Sequence, residues 1–229
     1  MGEPFAEGSQ PSIFIIGAQC TGKTTLVDAI CTKFRAEDPN LHFTPVKELA
    51  RGILVSTNVN RDDIRAGSGK AMEFQRLVLK AQLEAELELR SHGLIISDRS
   101  GIDPIAYAAK YGPPEVVEGL LGTPEWKALR ERMLQGIVVL CEPVPAWLFD
   151  DGVRLMPNDN TEWLELHAIF ISLLQQCDIP FEILSGTTTD IGERVEFVVG
   201  RWRRKNATMC TLVDGARLGT NDGDIDPHT

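Results

Sequence analysis

A short apolar run, Ile13-Phe14-Ile15-Ile16, breaks at Gly17, and a helical apolar rhythm resumes after Thr24. Between them lie Gly17-Ala18-Gln19-Cys20-Thr21-Gly22-Lys23-Thr24, followed by Thr25. The segment fits the spacing Gly-x-x-x-x-Gly-Lys-Ser/Thr. Glycines at those two positions let the backbone curl so that its N–H groups converge on phosphate oxygens. Lys23 then reaches the β- and γ-phosphates, and the Thr24 hydroxyl is placed for Mg²⁺. A helix opening at Gly22 adds its positive end to the same point. Such a loop needs a buried strand before it and a helix after it, and the flanking sequence supplies both. The expectation is a nucleoside triphosphate, ATP, held as ATP·Mg²⁺ along residues 17–25.

The rest of the chain continues the alternation. Leu94-Ile95-Ile96-Ser97 and Ile137-Val138-Val139-Leu140 read as strands buried on both faces, with a weaker strand at His42–Val46 and a last one at Phe181–Leu184. Helical patterns fall at Thr24–Phe34, Ala71–Arg90, Pro104–Lys110, Pro124–Leu134 after the Thr123 cap, Thr161–Cys177 and Asp190–Arg201. Apolar strands alternating with helices imply a parallel sheet covered on two sides. The fold class expected is α/β, a three-layer P-loop NTPase or kinase-like domain with a five-stranded parallel sheet, over residues 13–205. Residues 1–12 and an acidic tail, 206–229, are expected to be disordered. Gly52 to Gly69 reads as a polar, irregular loop that is a candidate for mobility. In the long helix Phe74, Leu77, Val78, Ala81 and Ala85 are expected on one face; that helix could carry a dimer face or pack in the core, so an oligomer stays open.

Composition excludes some classes. Acidic residues number 33 and basic residues 23, a net charge of −10. No basic face for nucleic acid is expected; the run Arg201-Trp202-Arg203-Arg204-Lys205 reads as a solvated last turn of a helix. No apolar stretch is long enough to span a bilayer, and the polar N-terminus lacks the character of an export signal. The five cysteines form no CxxC pair, so neither zinc nor a disulfide framework is indicated, and a cytoplasmic setting is expected. Cys20, inside the glycine loop, reads as a tolerated small residue, with a redox-sensitive thiol as the alternative.

In parallel sheets ligands bind outside the carboxyl ends of the strands, so the residues there choose the chemistry. Asp98 follows one buried strand and is placed to hold Mg²⁺ through water; Arg99 beside it can grip a phosphate or carboxylate. Glu48 follows the second strand and could accept a proton from a hydroxyl or hold the substrate. After the fourth strand, residues 141–155 carry prolines, a glycine and Arg154, suiting a lid whose arginine donates to the transferring group. Ser185-Gly186-Thr187 could rest a purine or be a plain turn. No Asn-Lys-x-Asp guanine motif is present, and a helical lid domain with sensor arginines, needed by an oligomeric AAA+ motor, is not seen.

Taken together, "GAQCTGKTTL", "VKELAR", "KAQLEAE", "SDRSGIDPIAYAAKYG" and "PVPAWLFDDGVR" resemble the AAA-type P-loop domain family that includes the NadR ribosylnicotinamide kinase domain. The resemblance runs from about Ile13 to Val198. It implies a five-stranded P-loop kinase core, ATP-dependent phosphoryl transfer, and family positions at Glu48, Arg51, Gln82, Asp98, Asp103, Tyr107, Asp151, Gly152 and Arg154. Asp-Arg-Ser at 98–100 departs from the Asp-Thr of the riboside kinases and is closer to thymidylate and deoxynucleoside kinases. Some relatives are GTP- and phosphoinositide-binding regulators. The expected function is an ATP-dependent kinase acting on a hydroxyl or phosphate of a nucleoside- or riboside-like metabolite. Lys23, Asp98, Glu48 and Arg154 are its catalytic residues, and Thr24 and Asp98 its Mg²⁺ ligands. Glu48, Arg51, Gln82, Arg99, Asp103, Tyr107 and Asp151 would surround the acceptor. The alternative is a nucleotide-dependent switch protein, binding ATP or GTP without kinase activity.

Overall fold

The computed structural model describes residues 10–89, 93–148, 156, 157 and 159–218. Its sheet has five parallel strands in the order β2-β3-β1-β4-β5, formed by Ile13–Ile16 (β1), Phe43–Val46 (β2), Leu94–Asp98 (β3), Ile137–Cys141 (β4) and Glu182–Leu184 (β5). β1 lies at the centre with all four side chains fully buried. Alternation along it sends Phe14 and Ile16 into one apolar layer and Ile13 and Ile15 into the other. The chain leaves β1 toward β2 and β3 on one side and later crosses to β4 and β5 on the other. The crevice at that switch point opens at the carboxyl end of β1. The register aligns Ile15 with Asp98 and Ile16 with Leu140, so Gly17 emerges between Asp98 and Cys141.

One face of the sheet is covered by α1 (Lys23–Glu37) and α9 (Ile191–Leu218). The other carries α4 (Gly69–Leu89), α5 (Ile102–Tyr111), α7 (Pro124–Gln135) and α8 (Asn160–Gln176), with α2 (Ala50–Thr57), α3 (Arg61–Arg65) and α6 (Pro114–Leu121) at its margin. Three layers and five parallel strands match the expected fold class.

Four local expectations change. Residues 52–69 are not an irregular loop: α2 and α3 form there. Asn58, in the left-handed region at φ 51°, ends α2, and Asn60 caps α3 reciprocally with Asp63. Val59 and Ile64 are buried beneath them. Helices this short do not complete enough turns to leave a periodic signature. In α4 the inward stripe runs Ala71, Gln75, Val78, Gln82 and Glu86, while Leu77, expected inside, is 36% exposed. Leu77 sits on the solvent side because the buried stripe includes polar residues, which an apolar count passes over. The basic run 201–205 lies inside α9 rather than at its end. Trp202 is buried there, its ring tilted against Phe34 with centroids 4.9 Å apart and its Nε1 donating to Pro11 O at 2.8 Å, while Arg201 and Arg203 pair with Glu182 and Glu37. Finally, α9 continues to Leu218, through residues that composition assigned to the tail. No proline interrupts 191–218, and helix propensity outweighs the polar content there.

Candidate active site

The glycine loop is held in a shape that ordinary residues would not adopt. Gly17 has φ 133°, and a Cβ added there would lie 2.8 Å from Cys141 O. Gly22, at φ 76°, forms the N-cap of α1. Three helices brace the loop from outside. From α8, Trp163 Nε1 donates to Gln19 O at 3.0 Å; from α5, the Tyr107 hydroxyl donates to Gln19 Oε1 at 3.0 Å; from α9, Arg194 Nη2 donates to Thr21 O at 2.9 Å. Lys23 is buried under the curl, its Nζ donating to Ala18 O at 2.5 Å and to Thr21 Oγ1 at 3.3 Å. Burial pulls the Lys23 pKa down, with Arg99 acting in the same sense and Asp98 and Asp103 opposing. An ammonium so desolvated is favoured by arriving negative charge.

Thr24 Oγ1 donates to Asp98 Oδ2 at 2.5 Å, joining the loop to the end of β3. Asp98 is 2% exposed, and its other oxygen, Oδ1, is buried without a partner among the described residues. A buried carboxylate oxygen left unpaired beside a hydroxyl is a donor set suited to Mg²⁺, which takes one or two protein oxygens and completes its shell with water and phosphate. No group of three or more His, Cys, Asp or Glu side chains that could cage a metal is found among the described residues.

Beside the loop is a charge cluster. Arg99 donates from Nε (2.9 Å) and Nη2 (2.8 Å) to Glu48 Oε1, and from Nη1 to Asp103 Oδ1 at 3.1 Å. Arg51 Nε reaches Glu48 Oε2 at 3.2 Å. Arg99 itself sits at φ 87°, outside the usual range for a side-chain-bearing residue, with its N–H donating to Ile15 O. Such strain is typical of residues whose placement matters more than local comfort. Burial opposes the ionisation of Glu48, but Arg99, Lys23 and Arg51 outweigh it and hold the carboxyl at about 2. Asp103 responds in the other direction: burial dominates, and its pKa is pushed up to about 6 despite Arg99 and Lys23. Its Oδ2 accepts from Ser100 N at 2.8 Å, at the start of α5.

Two cavities meet at this cluster. The first, about 360 Å³, runs over the loop from Lys23 and Thr24 to Trp147, Thr189, Ile191 and Arg194. The second, about 600 Å³, opens beneath α2 and α3 and is walled by Leu54, Val59, Ile64, Phe74, Val78 and Tyr107. Gln19, Glu48 and Arg99 line both.

Most of the expected site residues therefore converge: the loop, Glu48, Arg51, Asp98, Arg99, Asp103 and Tyr107. Gln82 does not. It donates to Glu86 Oε1 (2.9 Å) and Ser97 Oγ (3.1 Å), and Glu86 in turn takes Arg132 Nε at 2.6 Å, a buried network away from both cavities. Gln75, two helical turns earlier on the same face of α4, lines the second cavity instead. Ser185-Gly186-Thr187 forms a packing turn: Gly186 N donates to Glu142 Oε2 at 2.9 Å, and Thr189 and Ile191 reach the first cavity instead. Asp151, Gly152 and Arg154 lie outside the described residues. Before them, a single 3₁₀ turn, Pro145–Trp147, lays the Trp147 ring against Gly22, where an added Cβ would approach it to 2.8 Å, and Arg194 sits 4.9 Å from the ring centroid. Trp147 lies in the quoted stretch PVPAWLFDDGVR without a role assigned to it, and Arg194 lies in no quoted motif. The available signal was an arginine one residue before the buried positions Val195, Val198 and Val199.

A scan of known families matches residues 12–194 to an AAA domain. No curated protein matches the chain. Among solved structures, a NadR protein in complex with NR is 23% identical, with a TM-score of 0.60 over 83% of this chain and 52% of its own. A complex of NadR with NAD and AMP-PNP is 17% identical (TM-score 0.57, 95% of this chain, 52% of that one). Deoxyadenosine kinase from M. mycoides with bound dATP is 15% identical (TM-score 0.56, 85% of this chain, 100% of that one). The present chain thus spans about half the length of the NadR proteins, and at these identities the likeness is one of fold. The match over residues 12–194 places the chain in the AAA-domain family, with a kinase-like P-loop fold.

Proposed function

We propose that the protein is an ATP-dependent kinase that transfers the γ-phosphoryl group to a hydroxyl of a nucleoside- or riboside-like metabolite. The observation carrying this is the junction of the two cavities. A triphosphate on the glycine loop and an acceptor in the larger, mostly apolar chamber would face each other across Arg99 and Glu48. The NR and dATP complexes of its structural neighbours support the same reading.

In this mechanism Lys23 and the loop N–H groups take the β- and γ-phosphates, and the helix end of α1 adds to their field. Thr24 and Asp98 would hold Mg²⁺, which neutralises charge on the phosphates. Glu48 is too weak a base at its pKa of about 2 to remove a hydroxyl proton early; its role is to orient Arg99 and Arg51. That revises the expectation of Glu48 as proton acceptor. Phosphoryl transfer asks little of a base, because the transition state is loose and charge stabilisation dominates. Arg154 and Asp151 keep their assignment to the closing lid on their sequence pattern. Exclusion of water, the competing acceptor, would follow from that closure.

The test is ADP release from ATP·Mg²⁺ with nucleosides, nicotinamide riboside, nucleoside monophosphates and sugars, wild type beside Lys23→Ala. Strong stimulation by one class, lost in the variant, is expected. A flat response with tight, Lys23-dependent nucleotide binding would favour the nucleotide-dependent switch protein.

A further inference from the structure

Among the described residues three line both cavities: Gln19, Glu48 and Arg99. Glu48 and Arg99 are engaged with each other and with Arg51 and Asp103. Gln19 is the third residue of the glycine loop, a position that the loop's spacing leaves open to any side chain. Yet here it is 3% exposed and held at two points by residues from different helices. Its main-chain oxygen accepts from Trp163 on α8, which fixes the backbone, and its Oε1 accepts from the Tyr107 hydroxyl on α5, which fixes the side chain. Burial raises the Tyr107 pKa, so the phenol keeps its proton and stays the donor of that bond. With the carboxamide oxygen committed to Tyr107, Nε2 is the end turned away from it. Nε2 has no hydrogen-bond partner among the described residues. Buried amides in folded proteins are almost always paired, so one that is braced at its oxygen and left open at its nitrogen, where two cavities meet, calls for a physical reason.

We propose that Gln19 donates from Nε2 to an oxygen of the nucleotide's terminal phosphoryl group, and that Tyr107 is the positioning residue that aims it. Lys23, the loop N–H groups and the end of α1 approach a triphosphate from the loop side. The terminal group is the part of the nucleotide that reaches toward the second cavity, and Gln19 borders that junction. In a loose transition state charge spreads over the equatorial oxygens of this group. A neutral N–H donor already held in place stabilises that charge without reorganising, and it adds no like-charge repulsion to Lys23 and Arg99. The inference rests on the proposed function only in calling the group a transferring one. The same contact would form in a protein that binds ATP and transfers nothing.

Calorimetric binding of ADP·Mg²⁺ to the full chain, with and without beryllium fluoride, tests it. Beryllium fluoride bound to ADP stands in for the terminal phosphoryl group, and no acceptor is needed. Wild type is compared with Gln19→Met, Gln19→Glu and Tyr107→Phe. Methionine keeps the shape and removes the donor; glutamate keeps the shape and sets an anion against the anion. The expected result is that ADP alone binds all four proteins within about threefold, while the beryllium fluoride complex binds Gln19→Met on the order of tenfold more weakly than wild type. Gln19→Glu should lose more than Gln19→Met, and Tyr107→Phe less, because it frees the amide to turn without removing it. A side chain that merely shapes the loop would instead weaken ADP and its beryllium fluoride complex in step and lower the melting temperature. That outcome overturns the inference, as does unchanged affinity for both ligands in Gln19→Met. A wild type that does not distinguish ADP from its beryllium fluoride complex overturns it too. The expected pattern without any phosphorylated acceptor would sustain the inference and defeat the kinase reading. Product formed by Gln19→Met at the wild-type rate would do the reverse.

Discussion

The two cavities are built on opposite plans. The phosphate cavity takes most of its polar groups from one uninterrupted stretch, residues 19–25, on the turn between β1 and α1. The second cavity draws on β2's end, α2, α3, α4 and α5, with residues from Gln19 to Tyr107. In the first, local backbone geometry creates the site, and any chain with that spacing after a strand will form it. In the second, the site exists only once the layers have packed, and a single side chain acquires its role from neighbours distant in sequence.

The largest effect that would sharpen this contrast is loss of the loop's lysine. Lys23→Ala should reduce phosphoryl transfer on the order of 10³-fold, as removal of one preorganised charge does, while leaving acceptor affinity intact when measured by calorimetry. Next comes the buried network behind the sheet. Arg132→Ala strips the partner from Glu86, whose carboxylate is fully buried, and should cost about 3–5 kcal/mol in chemical denaturation. A comparable loss of acceptor affinity in the folded variant would show that the Gln82 network reaches the site after all.

The Glu48–Arg99–Asp103 cluster offers a pH test with two signs. The Glu48 pKa lies near 2, below its usual 4.5, so ionised Glu48 stabilises the fold above pH 4.5, and that contribution of about 3 kcal/mol disappears as pH falls toward 2. Asp103 is raised from 3.8 to about 6, so its contribution is fully present below pH 3.8 and is lost as pH rises through 6. Glu48→Gln should therefore lose stability at pH 7 and show a shallower acid decline, whereas Asp103→Asn should flatten the change between pH 4 and 6. Identical pH profiles for the two variants would contradict the cluster as described. The smallest effect is expected at Gly17, where alanine would bring a Cβ to 2.8 Å from Cys141 O at φ 133°; thermal unfolding should show a loss of about 1–3 kcal/mol.

The contrast between the cavities also explains what could be read from the sequence. The strands, the loop and the acid after β3 were legible because each is a short contiguous pattern with its own physical cause. Gln82 is marked by the family resemblance, and nothing local says that Gln75, seven residues earlier on the same face of α4, is the one that lines the cavity under α2 and α3. Those two helices were themselves hidden, being too short for periodicity and set in a stretch, 52–69, whose turns carry Asn and Gly. Trp147 and Arg194 come from distant segments and meet only because β4 and β5 are neighbours. Pairing of the arginines with Glu48 likewise depends on β2 and β3 lying side by side.

The most direct test of the account is mass-spectrometric detection of a phosphorylated product after incubating the protein with ATP·Mg²⁺ and a mixture of nucleosides and nicotinamide riboside, wild type beside Arg99→Ala. Arg99 stands where the two cavities join. The expected result is one phosphorylated riboside or nucleoside from the wild type and its loss on the order of 10²-fold or more from the variant. ADP forming equally slowly with and without the mixture, and no phosphorylated product, would contradict the account and leave a nucleotide-binding protein whose second chamber serves some other end.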